Sequence, residues 1–244
     1  MRDSLSVVIP AYNEEARLPG TLRALSDYLR GSFKEYEIIV VDDGSSDGTA
    51  SVVGTMGREL PNLTLISYPV NAGKGHATRR GVFASKGDLV LTCDADMSTP
   101  IREYEKLVPF VRDDFDIAIG SRGLRDSDIA VRQPWHRERM GKIFNSFVRA
   151  LVVGGIKDTQ CGFKLFKGDV ARSLFKSNII DGFAFDVEIL FLAKRKSYRI
   201  KEVPIRWLNS PDSRVKIMRD PMKMFVELLR IRTNWLLGKY NKPA

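Results

Sequence analysis

The first half of the chain alternates short, continuously apolar segments with amphipathic ones. The segments Leu5–Ala11, Tyr36–Asp43 and Leu63–Tyr68 are rich in Val, Ile and Leu, as expected of strands buried on both faces. Between the first two, leucines recur at helical spacing over residues 14–30. Strands that alternate with helices in this way predict a parallel sheet with helices on both faces. In such sheets, ligands bind at the carboxyl ends of the strands.

The same patterns continue less regularly into the second half of the chain. We predict further strands over 88–94, 115–121, 161–167 and 199–207, and helices over 74–85, 100–112, 133–153, 185–196 and 221–237. We interpret residues 1–218 as one α/β domain. Residues 219–244 are interpreted as a C-terminal amphipathic, basic helix and tail.

Composition and charge limit the kinds of protein to consider. A length of 244 residues, with 43% hydrophobic and 28% charged residues, is typical of a folded protein. No apolar run reaches about 18 residues, so we expect no transmembrane helix, and the first residues leave no room for a signal peptide. Two cysteines without metal-ligand spacing are expected to be reduced core residues. These features favour a cytoplasmic protein.

The positive charge lies almost entirely in the last fifth of the chain. Residues 194–244 contain 14 Lys and Arg against 4 Asp and Glu, whereas residues 1–193 contain 25 against 26. A basic C-terminal region is compatible with a nucleic acid, an anionic membrane surface or a phosphorylated substrate.

Acidic residues cluster where two of the predicted strands end. Asp42 and Asp43 close one strand, and Asp94-Ala95-Asp96 closes another. Two carboxylates one residue apart can bind a hard cation such as Mg²⁺ or Mn²⁺, with phosphate and water completing the shell. The loop at residues 71–75, which contains Gly73 and Lys74, precedes a helix and is predicted to meet a phosphate through its backbone N–H groups and its lysine.

Four motifs in this order resemble the family 2 inverting glycosyltransferases of the GT-A fold. They are VVIPAYNEE at 7–15, VVDDGSSDGT at 40–49, NAGKG at 71–75 and DAD at 94–96. In the second half, GSR at 120–122, PWHR at 134–137, DTQCGFKLF at 158–166 and FDVE at 185–188 are similar to the dolichyl-phosphate sugar synthases, the glucose branch more than the mannose branch. The resemblance therefore implies a GT-A, Rossmann-like α/β fold, and makes residues 1–218 the catalytic domain.

The resemblance also implies a role for individual residues. The nucleotide sugar would be bound by Pro10, Tyr12, Glu14, Asp42, Asp43, Gly73, Lys74, Asp94, Ser213 and Arg214. Asp96, with Asp94, would hold Mg²⁺ or Mn²⁺, while Arg122 and Arg137 would hold the acceptor phosphate. Asp94, Asp96, Arg122 and Arg137 are thus the expected catalytic residues.

The implied reaction is metal-dependent, inverting transfer of a hexose to a dolichyl or polyprenyl phosphate. Glucose from UDP-glucose is the expected donor, and GDP-mannose is the alternative. A second alternative is a hydroxyl acceptor, for which Asp186 or Glu188, at the start of a helix, would be the base. A nucleic-acid-binding protein would explain the charge but not the ordered motifs, so we expect no nucleic-acid partner.

The C-terminal helix is apolar over most of its circumference, so one side should contact the domain. The other side is predicted to meet a bilayer interface or a second subunit, as in a homodimer. Since a polyprenyl chain stays in the bilayer, we expect a protein bound peripherally to the cytoplasmic face of a membrane.

Overall fold

A computed structural model describes residues 3–131, 148, 152–208 and 220–241. The strands in these ranges are, in chain order, β1 (Leu5–Ala11), β2 (Tyr36–Asp43), β3 (Leu63–Tyr68), β4 (Leu89–Thr92), β5 (Ile117–Ser121), β6 (Asp128–Val131), β7 (Lys164–Lys167), β8 (Ile200–Pro204) and β9 (Arg206–Leu208).

The helices follow the strands along the chain. They are α1 (Leu18–Ser32), α2 (Thr49–Met56), α3 (Lys74–Ala84), α4 (Tyr104–Arg112), α5 (Gly168–Ser177), α6 (Phe185–Arg195) and α7 (Asp220–Leu236). Two short 3₁₀ helices lie at Ile101–Glu103 and Lys239–Asn241.

Seven of these strands form one central sheet in the order β3-β2-β1-β4-β7-β5-β8. Pairing is parallel except at β7, which runs antiparallel to both β4 and β5. β6 and β9 form a separate parallel pair. The predicted mostly parallel α/β sheet is therefore confirmed.

The two faces of the sheet carry separate apolar cores. In β1, Val7 and Ile9 pack into the core that contains α1 and α4, whereas Val8 packs into the core that contains α5, α6 and α7. This alternation is the two-residue period of a strand, and both sets are apolar because helices cover both faces.

Several predicted elements differ from those observed. The strand predicted over 88–94 ends at Thr92, so the acidic residues that follow lie in a loop. The helix predicted from residue 14 begins at Leu18, because the Glu14 N–H donates to the Thr49 hydroxyl and its carboxylate binds Arg17. β6 and α5 were not predicted. Most of the predicted helix over 133–153 lies outside the described residues.

The close approach of α3 to the sheet gives a test of the packing. A Cβ on Gly81 would lie 2.4 Å from Val8 Cγ1, whereas one on Gly54 in α2 would have no described atom within 4 Å. We expect Gly81→Ala to lower the free energy of unfolding by about 1–3 kcal/mol through overpacking. Gly54→Ala is the matched control and should raise it by about 0.5–1 kcal/mol. Urea unfolding measures both, and equal effects would contradict this packing.

Candidate active site

The predicted acidic residues lie at one edge of the sheet. Asp42 and Asp43 end β2, while Asp94 and Asp96 follow β4. Since β1 lies between β2 and β4, the two pairs stand on either side of the end of β1. Tyr12 follows β1 and keeps a 40% exposed side chain. The structure therefore brings the predicted donor residues of the first half to a common edge.

Asp43 is buried and organises the loop that follows β3. Its carboxylate accepts hydrogen bonds from the N–H groups of Ala72 (2.8 Å) and Gly73 (2.9 Å) and from Asn71 Nδ2 (2.9 Å). The Tyr68 hydroxyl donates to it as well, at 2.8 Å. Asp43 thus holds residues 71–75, which we call the Gly-Lys loop, in place.

Asp42 is bound in a similar way by a neighbouring turn. Its carboxylate accepts from the Ser45 N–H at 3.1 Å and from the Ser67 hydroxyl at 3.0 Å. Both acids at the end of β2 are therefore bound to protein donors, and their predicted contact with the nucleotide sugar stays a prediction.

Lys74 points its ammonium at the carboxylate of Asp94. Nζ lies 2.6 Å from Oδ1, and the Asp94 side chain is 39% exposed, which leaves it accessible to a ligand. Burial opposes both charges, but Lys74 holds the pKa of Asp94 below its usual range. Asp94, followed by Asp186, holds the pKa of Lys74 above its usual range against the same burial. Lys74 therefore keeps the Asp94 carboxylate ionised and holds it in one orientation.

Four backbone donors of the Gly-Lys loop and the start of α3 are bound to protein oxygens rather than left for a phosphate. The N–H groups of Gly75 (2.7 Å) and His76 (3.3 Å), in the first turn of α3, both donate to the Asp181 carbonyl. Together with the two donors on Asp43, this commits four N–H groups. The prediction that they receive a phosphate is not supported by this geometry.

Gly162 lies against the Asp94 carboxylate. A Cβ at this position would be 2.4 Å from Asp94 Oδ2, and the Gly162 carbonyl accepts from the Thr92 hydroxyl at 3.1 Å. The segment before β7 can approach the acidic loop this closely only because residue 162 has no side chain.

Asp96, like Asp94, has one carboxylate oxygen bound by a hydrogen bond. Oδ1 accepts from the Ser98 N–H at 2.9 Å, while Oδ2 lies 4.0 Å from Arg17 Nη1. Arg17 in turn binds Glu14 through Nε (2.5 Å) and Nη2 (2.6 Å). Arg17, which no sequence motif singles out, therefore binds Glu14 beside the acidic loop.

Arg122 is held in a fixed orientation by Asp158. Its Nε and Nη2 lie 2.7 and 2.9 Å from the two carboxylate oxygens, and its N–H donates to the same group at 2.9 Å. The guanidinium also lies over the Trp207 ring, 5.4 Å from its centroid. Burial opposes the charge on Asp158, but Arg122 holds its pKa below the usual range. Arg122 is a rigid, partly exposed cation.

The two alternative base residues are both buried and bound. Asp186 pairs with the ammonium of Lys164, which also donates to the Cys161 carbonyl at 2.5 Å. Glu188 accepts from the N–H groups of Ile179 (3.1 Å) and Ile180 (2.8 Å). Neither carboxylate is presented to a substrate hydroxyl.

Some predicted residues cannot be placed, and others were missed. Arg137, Ser213 and Arg214 lie outside the described residues. Asp158 and Lys164 lie in the motif at 158–166, but the sequence does not indicate what they do. In the fold, Asp158 pairs with Arg122 and Lys164 pairs with Asp186. The described residues contain no cluster of three or more His, Cys, Asp or Glu suited to a metal.

Residues 6–175 match the family profile described as "Glycosyl transferase family 2". The chain belongs to this family and is a glycosyltransferase. Solved structures share its fold with TM-scores of about 0.7. A mannosyl-3-phosphoglycerate synthase from Rubrobacter xylanophilus has a TM-score of 0.71 at 20% identity, covering 99% of this chain and 76% of that one. A glucosyl-3-phosphoglycerate synthase from Mycobacterium tuberculosis, in complex with Mn²⁺, UDP and phosphoglyceric acid, has a TM-score of 0.71 at 20% identity, covering 99% and 80%.

Within the family, the chain is similar to dolichyl-phosphate β-glucosyltransferases. The protein of that name from Dictyostelium discoideum is 39% identical over 246 residues, covering 96% of this chain and 75% of the relative. The human protein of the same name is 36% identical over 249 residues, covering 97% and 77%. The resemblance to the glucose branch is confirmed.

The Arg122–Asp158 pair predicts a pH-dependent loss of stability when it is broken. Arg122→Met removes the charge that does most to lower the pKa of Asp158 against burial, so this pKa rises in the variant, whereas the native pair stabilises the fold above the ordinary Asp pKa of about 3.9. We expect Arg122→Met to lower the free energy of unfolding by about 3 kcal/mol at pH 7. The difference from wild type should shrink as the pH falls and Asp158 becomes protonated in the variant.

The control is Arg199→Met, which breaks the exposed pair with Asp114, both side chains being more than half exposed. It should cost about 0–1 kcal/mol with little dependence on pH. Urea unfolding at pH 7 and pH 4 measures both variants. Equal losses at pH 7 would show that Arg122 and Asp158 do not form a stabilising pair.

Proposed function

We propose that this glycosyltransferase transfers glucose from UDP-glucose to a dolichyl or polyprenyl phosphate, with inversion to the β-linked product. The support comes from relatives named for this activity that align over nearly the whole chain at 36–39% identity. The chemistry of the site favours the same acceptor class.

The observation that carries the proposal is that the two alternative base carboxylates are occupied. Asp186 is paired with Lys164, and Glu188 is bound by backbone N–H groups. A hydroxyl acceptor would need a base to remove its proton. A phosphate monoester does not, since its second pKa is about 6 and it is largely dianionic at neutral pH. A site that binds and orients an anion is sufficient for it.

The donor side fits a divalent cation, Mg²⁺ or Mn²⁺, through its oxygen donors. Asp96 would be the direct ligand through Oδ2, and Asp94 the second carboxylate, with donor phosphate oxygens completing the shell. The solved glucosyl-3-phosphoglycerate synthase complex contains Mn²⁺ and UDP. When bound, the cation would neutralise charge that develops on the departing UDP.

On the acceptor side, Arg122 provides a positive charge that Asp158 keeps in place. We propose that Arg122, with Arg137, holds the lipid phosphate so that one of its oxygens faces C1 of the glucose. A bond forms between that oxygen and C1 while the bond from C1 to the UDP oxygen breaks. Attack from the opposite face inverts the configuration at C1. Lys74 keeps Asp94 ionised and oriented throughout.

The metal role predicts a large and specific effect of one substitution. Asp96→Asn should lower kcat on the order of 10³-fold, because it weakens a ligand whose charge stabilisation amounts to several kcal/mol. Asp114→Asn is the matched control, at a 78% exposed aspartate, and should be unchanged. EDTA should abolish turnover and added Mn²⁺ should restore it. Full activity without metal, or of Asp96→Asn, would contradict the assignment.

Substrate identity needs a screen of donors against acceptors. UDP-glucose and GDP-mannose are each supplied with dolichyl phosphate, undecaprenyl phosphate or an alkyl glucoside. We expect turnover only with UDP-glucose and a lipid phosphate, measured as labelled lipid. Turnover with GDP-mannose or with the alkyl glucoside would establish one of the alternative activities.

The C-terminal helix carries an exposed apolar face that suits a membrane. None of the helices among the described residues is long and apolar enough to span a bilayer. On α7, Val226, Leu229 and Leu236 are exposed, by 59%, 47% and 83%, and fall within an arc of about 80°. The sequence predicts that one side of this mostly apolar helix contacts the domain, and the structure buries the face opposite these residues through Leu228 and Ile231.

Exposed basic residues border this apolar face on both sides. Lys223 and Arg230 lie on one side and Arg232 on the other. An apolar face flanked by cations suits an anionic lipid interface, because the acyl chains contact the apolar side chains and the anionic headgroups attract the cations. We propose that this face of α7 binds the cytoplasmic surface of the membrane that contains the acceptor lipid.

Liposome flotation tests the membrane proposal. Leu229→Ser with Leu236→Ser should reduce binding to anionic vesicles about tenfold or more, since each leucine contributes roughly 1.5–3 kcal/mol when fully buried. Phe83→Ser, at a 50% exposed apolar residue on α3, is the control and should float as the wild type does. High salt should release part of the bound protein. A wild-type protein that stays unbound and elutes as a dimer would instead assign this face to a second subunit.

A further inference from the structure

A short loop, residues 178–184, connects the C-terminal helices to the donor side of the site. We call it the bridging loop. On one side, the Asp181 carbonyl accepts from the N–H groups of Gly75 (2.7 Å) and His76 (3.3 Å) at the start of α3. Arg79, one turn further along α3, donates to the Asp181 carboxylate at 2.7 Å and to Asn178 Oδ1 at 3.1 Å.

The bridging loop fits closely against the Gly-Lys loop. A Cβ on Gly73 would lie 2.4 Å from the Asp181 carbonyl oxygen, and one on Gly75 would lie 2.6 Å from the Ile180 carbonyl oxygen. Gly73 has a φ of +108°, a conformation that side-chain-bearing residues rarely adopt. The position of Lys74, between these two glycines, therefore depends on where the bridging loop lies.

Glu188 fixes the other side of the bridging loop. Its side chain is fully buried and accepts from Asn178 Nδ2 and from the N–H groups of Ile179 and Ile180. The remaining oxygen accepts from the Tyr240 hydroxyl at 2.5 Å. One carboxylate thus joins the loop to the 3₁₀ helix that follows α7.

A second contact comes from α7 itself. Glu227 accepts from the Ala184 N–H at 3.4 Å, and a Cβ on Gly182 would lie 2.6 Å from Glu227 Oε1. α7 therefore contacts the end of the bridging loop directly, and Tyr240 reaches the start of the loop through Glu188.

We propose that Glu188 is a positioning residue of the donor site, and that Tyr240 joins the C-terminal helices to the same network. Glu188 holds the bridging loop, the Asp181 carbonyl caps α3, and the capped helix holds Lys74 at 2.6 Å from Asp94. The inference rests on the proposed function only in treating Asp94 as part of the UDP-glucose site.

Tyr240→Phe tests the network with the loss of a single hydroxyl group. Tyr198→Phe is the matched control, because its hydroxyl donates to the Ser173 hydroxyl at 3.4 Å in the same apolar core but does not touch the bridging loop. We expect Tyr240→Phe to weaken UDP binding, measured by calorimetry with Mn²⁺, by up to about tenfold, the effect of losing one hydrogen bond. The KM for lipid phosphate should not change.

A second measurement does not depend on turnover. Amide hydrogen exchange at Gly75 and His76 should be faster in Tyr240→Phe and in Glu188→Gln, since their acceptor is released. Tyr198→Phe should leave these two amides as they are in the wild type. If Glu188→Gln does not fold, exchange in Tyr240→Phe alone tests the network.

Two outcomes separate failure of this inference from failure of the proposed function. If the wild type binds UDP while Tyr240→Phe changes neither UDP affinity nor exchange at Gly75 and His76, the positioning role is overturned, even if both tyrosine variants melt at lower temperature. If the wild type does not bind UDP, the donor assignment itself is wrong. The exchange at Gly75 and His76 then still reports whether the network exists.

Discussion

Six carboxylates are buried around the candidate site, and each is stable there only because the chain brings donors to it. Removing an ionised carboxylate from water costs several kcal/mol unless a counter-charge or hydrogen bonds compensate. The buried carboxylates are Glu14, Asp42, Asp43, Asp158, Asp186 and Glu188. The requirement explains the local architecture, since the loops after β3, β5 and α5 all turn toward one of these groups.

The compensation is supplied in different ways. Asp158 and Asp186 are bound by cations, whereas Asp43 and Glu188 are bound mainly by backbone N–H groups and neutral side chains. The ion pairs hold Arg122 and Lys164 in position, and the hydrogen bonds to backbone N–H groups fix the conformation of the loops. The partly exposed Asp94 and Asp96 are exceptions in the region, which is why they are suited to an external ligand.

The sequence predicts the parallel half of the fold well. The bounds of β1, β2 and β3 agree with prediction, because each strand is a run of mostly apolar, β-branched or aromatic residues that ends at a turn. The antiparallel direction of β7 could not be predicted, since a buried strand has the same pattern in either direction. The motifs located Asp94 and Asp96, but not the contacts of Arg122 with Asp158 or of Glu188 with Tyr240, which join residues 36 and 52 positions apart. Such pairs follow from the three-dimensional fold and leave no periodic signal.

The antiparallel strand β7 also affects how the polypeptide acquires its structure during synthesis. β7 lies between β4 and β5, although the chain reaches β5 first. Until residues 164–167 leave the ribosome, β4 presents an unpaired edge and β5 has no neighbour on that side. An open apolar edge is a template for pairing with another chain, and non-local strand insertion is a slow step. The acidic loop after β4 therefore acquires its Gly162 neighbour only after the chain through β7 has been synthesised, and until then the edge of β4 is open to pairing with another chain.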